Sequence, residues 1–163
     1  MPVEIERKFR VRDGRWRRLA TTHVPMRQGY LGGERCSIRV RREGDLATLN
    51  IKSREPGARR LEFEYPLPTD EADVLLDRFA GDLVAKTRHL VPHDGLVIEV
   101  DEFEGDNAGL VVAEVELPAL DHAFTPPDWL GDEVTDDPRY YNVALARTPF
   151  AAWPDRDLLR YRD

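Results

Sequence analysis

The 163-residue chain predicts a mainly β fold with flanking helices (α+β), arranged as a mostly antiparallel sheet or barrel. Three observations lead there. Eight short runs alternate apolar and polar residues, turn-forming residues separate many of them, and the polar positions of the runs are charged and sorted by sign.

In chain order, the first run spans residues 3–11. Val3, Ile5, Phe9 and Val11 alternate with Glu4, Glu6, Lys8 and Arg10, with Arg7 the exception on the apolar side. Asp13 can cap a short helix through Trp16 and Leu19. Runs at 28–31, 35–42, 46–54 and 60–67 follow, with turns at Gly32-Gly33, Glu43-Gly44-Asp45 and Glu55-Pro56-Gly57. Thr69 or Asp70 can cap a helix through Ala72, Leu75, Leu76 and Phe79, with Gly81 as its stop. Further runs at 84–91, 97–104 and 110–117 are separated by His93-Asp94-Gly95 and Gly105-Asp106-Asn107. Pro126-Pro127 precedes Trp129 and Leu130, and another helix is expected to carry Tyr140, Val143, Ala144 and Leu145. Residues 149–163 form a C-terminal tail, expected to pack at least partly on a single domain of residues 1–163 through Trp153, Leu158 and Leu159.

Composition narrows the function classes. A formal net charge of −7 argues against a general nucleic-acid binder, so any phosphate site must be a local basic cluster. The one cysteine, Cys36, has no intramolecular disulfide partner and reads as a buried structural thiol in a strand. His23, His89, His93 and His122 are scattered, and none is paired at helical ligand spacing. No run is long and apolar enough for a membrane span, the first residues lack the basic region and apolar run of a signal peptide, and the cytoplasm is the expected location.

Residues two apart on a strand share a face and lie roughly 6.5 to 7 Å apart. On the polar faces, Glu4/Glu6, Glu62/Glu64, Glu99/Asp101 and Glu114/Glu116 are acidic pairs. Arg39/Arg41, Lys52/Arg54 and Lys86/Arg88 are basic pairs, while Lys8 and Arg60 each extend an acidic pair. A solvated face usually intersperses signs, because like charges side by side repel. Paired carboxylates suit a hard divalent cation, and clustered Lys and Arg suit phosphate oxygens, so the complementary ligand is a metal-bound polyphosphate. If the charges face inward, then Val3, Ile5, Phe9, Ile38, Val40, Leu49, Ile51, Leu61, Phe63, Val100, Val111 and Val115 face outward and need cover from the helices.

These same residues carry a family resemblance. Glu4-Ile5-Glu6-Arg7-Lys8 is similar to the N-terminal Glu-x-Glu-x-Lys signature of the CYTH superfamily, the triphosphate tunnel metalloenzymes. Agreement continues through Gln28-Gly29-Tyr30-Leu31, Ser37-Ile38-Arg39-Val40-Arg41, Thr48-Leu49-Asn50-Ile51-Lys52, Arg60-Leu61-Glu62-Phe63-Glu64, Lys86-Thr87-Arg88, Glu99-Val100-Asp101-Glu102-Phe103 and Ala113-Glu114-Val115-Glu116-Leu117. Trp129-Leu130-Gly131 and Glu133-Val134-Thr135 through Tyr140 and Asn142 resemble the small bacterial members.

The resemblance implies a closed eight-stranded antiparallel barrel forming a charged tunnel, with Mg²⁺ or Mn²⁺ and a small-molecule triphosphate as its ligands. It implies Glu4, Glu6, Glu114 and Glu116 as metal ligands, and Lys8, Arg39, Arg41, Lys52, Arg54, Arg60, Lys86 and Arg88 as phosphate contacts. Lys8, Tyr30 and Lys86 are the expected catalytic residues; a Lys8–Tyr30 pair could orient the attacking water or protonate a leaving oxygen. Glu62, Glu64, Glu99 and Asp101 support the basic residues. The implied activity is hydrolysis of inorganic tripolyphosphate to pyrophosphate and orthophosphate, with side activity on nucleoside triphosphates. An adenylyl cyclase or thiamine triphosphatase, and a noncatalytic polyphosphate-binding module, are the alternatives. A homodimer stays open.

Overall fold

The computed structural model describes residues 3–31, 36–54 and 58–163. The turns expected at Gly32-Gly33 and Glu55-Pro56-Gly57 lie outside the described residues. Nine strands make one antiparallel sheet: β1 (Val3–Val11), β2 (Thr22–Tyr30), β3 (Cys36–Glu43), β4 (Leu46–Ser53), β5 (Arg59–Pro66), β6 (Leu83–His93), β7 (Leu96–Phe103), β8 (Val111–Glu116) and β9 (Leu130–Glu133). Their order is β5-β4-β3-β2-β6-β7-β8-β1-β9, and an additional β5–β1 pairing closes the first eight into a barrel. Closure is local: Val3, Glu4 and Ile5 pair with β5, while Phe9 and Val11, farther along the same strand, pair with β9.

Most expected runs are strands, with two differences. Strand β2 begins at Thr22, six residues before the run read from the sequence. Pro25 and the lack of clean alternation hide this half. Pro25 is tolerated because β3 pairs only from Met26 onward, leaving that edge open at residue 25. Strand β9 is only four residues long and takes in Leu130, after the Pro126-Pro127 segment.

Asp13 caps a 3₁₀ turn at Gly14–Arg18, accepting from the Arg15 amide, and Trp16 is wholly buried beneath it. Helix α1 (Thr69–Arg78) starts without a side-chain cap: Pro68 holds the N-cap position, and Thr69 and Asp70 already lie inside the helix. Its Asp70 and Glu71 still favour the start, where the helix dipole attracts negative charge. Helix α2 (Asn142–Arg147) and the short α3 (Arg156–Leu159) complete the helices among the described residues. The hairpin joining β6 to β7 turns on Asp94 (φ 47°) and Gly95 (φ 79°), the two positive φ values that a tight two-residue turn requires.

Apolar packing surrounds the barrel in three places. Trp16, Trp129 and Leu130 cover Phe9, Val100, Val111, Ala113 and Val115, with Phe124 against them. Helix α1 covers Val40 and Ala47 through Ala72 and Leu76, with Leu49 at its edge. Loops and a 3₁₀ turn therefore supply much of the cover expected from helices. Val3 and Phe63 stay 36% exposed. A third cluster joins Tyr140, Leu145, Phe150 and Trp153 to Val84, Phe103 and Val112. These three strand residues lie two positions from Lys86, Asp101 and Glu114 on the same faces, so the C-terminal segment stoppers one end of the barrel. The tail packs through Phe150, Trp153 and, in part, Leu159, whereas Leu158 is 85% exposed.

Cys36 is half-buried rather than sealed in the core. His23 and His89, distant in sequence, meet across the β2–β6 ladder with Nδ1 atoms 2.5 Å apart, and Glu102 lies 2.7 Å from His89 Nε2. Among the described residues, no helix is long and apolar enough to cross a membrane.

Candidate active site

The alternation that builds the strands also builds the site. One face of each strand from β1 to β8 turns inward, and a cavity of about 1070 Å³ opens within the barrel. Among the described residues its wall carries eight cationic side chains and seven carboxylates, so it is nearly charge-balanced before any ligand enters. Lys8, Arg39, Arg41, Lys52, Arg54, Arg60 and Arg88 are all there, as are Glu4, Glu6, Glu62, Glu64, Glu99, Glu114, Glu116 and Tyr30. Lys86 and Asp101 are not part of this wall. They are wholly buried on the same inward faces as Arg88 and Glu99, toward the stoppered end, the Lys86 amine 2.6 Å from Asp101 and 3.1 Å from Asn142 Oδ1.

Strand register sorts the wall into two regions. Along β1, β6, β7 and β8, cations and carboxylates are already joined. Lys8 Nζ is 2.9 Å from Glu114 and 4.0 Å from Glu6. Arg88 forks onto Asp101 at 2.7 and 2.8 Å and also reaches Glu99 at 2.5 Å and Glu114 at 3.1 Å. Nearby, Lys52 Nζ clamps both oxygens of Glu4 at 2.9 and 2.7 Å, and Asn50 donates to Glu62 and to Glu64. The second region is cationic. Among the described residues Arg39, Arg41 and Arg60 form no ion pair, and the buried Nε of Arg39 has no hydrogen-bond partner.

The electrostatics follow from this division. Burial, reinforced by Glu114, pushes the Glu6 carboxyl up to about 8. Burial also raises Glu116, helped by Glu4 and Glu62. Burial would raise Glu114 too, but Lys8, Arg88 and Lys86 outweigh it and hold that carboxyl well below the usual range. Lys86 falls to about 8 through burial, which its partner Asp101 only partly offsets. Burial and the neighbouring Arg39 and Arg88 bring Arg41 down to about 10, and burial lifts the Tyr30 phenol despite Arg39, Arg41 and Lys8 beside it.

The donor chemistry fits a hard divalent cation at Glu6 and Glu116, two carboxylates that stand opposite each other as register partners and line the cavity. Among the described residues no three acidic, Cys or His side chains already converge as a ligand set. Glu4 and Glu114 face the same lumen, but Lys52, Lys8 and Arg88 occupy their oxygens.

Several lining residues lie beyond the charge pairs read from the sequence. Asn50 stands two positions from Lys52, so strand parity alone could have flagged it. Tyr141, Asn142 and Arg147 reach the cavity from the C-terminal segment, for which no strand pattern gives a signal. The Tyr141 ring lies 5.6 Å from Lys8 Nζ and 4.9 Å from the Arg60 guanidinium, and its hydroxyl donates to the Thr135 carbonyl at 3.0 Å.

Residues 2–141 match the CYTH domain family. The chain is 42% identical over 152 residues to the inorganic triphosphatase of Acetivibrio thermocellus, covering 92% of this chain and 97% of that protein. It is 41% identical over 153 residues to the inorganic triphosphatase of Nitrosomonas europaea, covering 88% and 97%. The crystal structure of the inorganic triphosphatase NE1496 is similar with a TM-score of 0.63 and 37% identity, over 90% of this chain and 95% of that one. With the family matched along most of its length and its charged strand faces closed around one cavity, the chain belongs to the CYTH domain family.

Proposed function

We propose that this chain hydrolyses inorganic tripolyphosphate to pyrophosphate and orthophosphate with the help of Mg²⁺ or Mn²⁺. The observation that carries the reading is the division of one closed lumen into an unpaired arginine wall and a facing carboxylate pair, Glu6 and Glu116. The relatives named inorganic triphosphatase support the substrate class.

Arg39, Arg41 and Arg60 bind nonbridging phosphate oxygens, with Lys52, Arg54 and Arg88 extending the grip. Guanidinium forks match two oxygens at once and hold the chain in line for attack by water. Fixed cations also meet the charge that grows on the transferred group, and at the buried Arg39 and Arg88 that interaction is stronger than in water. Lys8 is set between Glu114 and the Tyr140 carbonyl, 3.4 Å away, which fixes its ammonium beside Glu6. Glu6 and Glu116, with Glu4 and Glu114 once released from their cations, hold the divalent ion. When bound, the ion supplies positive charge against the phosphate oxygens and offsets the repulsion between substrate and carboxylates. Asp101, itself paired with Lys86, acts from the stoppered end of the barrel by fixing Arg88.

The test is product analysis. Purified protein with Mg²⁺ or Mn²⁺ is given tripolyphosphate, ATP or thiamine triphosphate in turn. Equal amounts of orthophosphate and pyrophosphate from tripolyphosphate, at the highest kcat/KM of the three, are expected. Cyclic AMP from ATP, or binding of tripolyphosphate without turnover, would contradict the reading.

A further inference from the structure

We infer that Gln28 is a positioning residue that fixes Arg41 and aims the Tyr30 hydroxyl hydrogen into the lumen. The inference rests on the tripolyphosphatase reading for its substrate, though its geometry stands by itself.

Gln28 is wholly buried on β2, directly opposite Arg41 in the β2–β3 ladder. Tyr30 lies two residues on, hence on the same face. Gly29 between them has no room for a side chain, because a Cβ there would come within 2.7 Å of Ala80 and Leu83. The segment is thus pressed from outside while Gln28 and Tyr30 point inward.

The hydrogen bonds then have one consistent assignment. A guanidinium has donors and no acceptor, so Arg41 Nε, 3.3 Å away, must meet the carbonyl oxygen of the Gln28 amide. The other end of that amide is NH₂, which only donates. It meets the Tyr30 hydroxyl oxygen at 3.2 Å, so Tyr30 accepts there. The phenol's own hydrogen must go elsewhere. The charged groups flanking the phenol are Arg39, Arg41 and Lys8, all donors, and none can receive it. An oxygen of a ligand in the cavity can. Burial keeps the phenol protonated at neutral pH, so Tyr30 serves as a hydrogen-bond donor to a phosphate oxygen and not as a base. Gln28 itself never reaches the lumen wall; it acts through the two residues it orients.

Changing Gln28 to Glu provides the sharpest test, because a carboxylate only accepts and would turn the phenol hydrogen away from the cavity. Gln28→Met removes both hydrogen bonds at similar length and covers the case in which Gln28→Glu does not fold. Activity on tripolyphosphate is measured for these two, for Tyr30→Phe and for Gln28→Met/Tyr30→Phe. We expect Gln28→Glu and Tyr30→Phe each to lower kcat about tenfold. In the Tyr30→Phe background, Gln28→Met should cost less than about threefold more, because its main effect passes through a hydroxyl already gone. Losses in kcat that multiply, or full kcat in Gln28→Glu, would overturn the inference. A second readout needs no turnover: ¹³C-tyrosine NMR of the ligand-free protein follows ionisation of Tyr30. Its titration should move to higher pH in Gln28→Glu and Gln28→Met, and an unmoved titration in both overturns the inference. A parent protein inactive on tripolyphosphate, with the Tyr30 titration still shifted by these changes, would support the orientation and remove the substrate reading instead.

Discussion

Glu6 on β1 and Glu116 on β8 are register partners, two carboxylates directly opposite each other across an antiparallel ladder, Glu6 half-buried and Glu116 exposed at the end of its strand. Like charges so placed repel, and folding alone gains nothing from them. Their position is intelligible as a site kept for positive charge. Glu6 carries a separate cost from its surroundings: it is pushed up to about 8, with burial the larger cause and Glu114 the next.

That shift sets a pH dependence in metal-free protein. Glu6 binds its proton more tightly folded than unfolded, so between about pH 4.5 and 8 the folded state holds the extra proton and stability falls as pH rises. Glu6→Gln removes this loss. In chelator, thermal melts should show Glu6→Gln gaining on the parent as pH goes from 5 to 8, and added Mg²⁺ should narrow the gap by stabilising the parent.

The unpaired arginines predict a different pattern. Arg39→Ala or Arg41→Ala should raise KM and lower kcat together, kcat/KM falling by about a hundredfold, or some 3 kcal/mol of transition-state stabilisation. Lysine at either position should restore only part, because a point charge cannot match the fork. Steady-state kinetics on tripolyphosphate, with circular dichroism as a folding check, measures both.

Asp101 is the counter-charge for two buried cations, Lys86 and Arg88. Asp101→Asn keeps the shape and strands that charge, so urea unfolding should show a loss of about 3–5 kcal/mol.

The stoppered end of the barrel can be probed through its aromatic residues. Phe150 is 1% exposed and packs on Trp153 at 5.3 Å between ring centroids. Phe150→Ala should cost about 3–5 kcal/mol in urea unfolding, and Leu158→Ala, on the exposed side of the tail, within about 0.5 kcal/mol.

Period-two alternation made the barrel strands legible, because any strand that lines a lumen must put every second side chain there. It also made most of the site legible: Glu4, Glu6 and Lys8 share a face in β1, as do Arg39 and Arg41 in β3. The first half of β2 escaped notice because Pro25 and His23 break the pattern, and β9 because four residues give a period no room to show. Residues from outside the strands were illegible for another reason. Tyr141 and Asn142 reach the lumen through tertiary packing of the C-terminal segment, which local sequence does not encode. Pairing was hidden as well. Nothing in Lys86-Thr87-Arg88 says that Arg88 faces the cavity while Lys86, on the same face, is sealed off at the stoppered end by Asp101 and Asn142.

The most direct measurement is a metal titration of tripolyphosphate hydrolysis by the parent, Glu6→Gln and Glu116→Gln. If these carboxylates hold the divalent ion in a triphosphate-binding lumen, both folded variants lose at least about tenfold in rate at low metal, equivalent to some 1.4 kcal/mol, and recover part of it as metal rises. Parental rates and an unchanged metal dependence in both variants would contradict it.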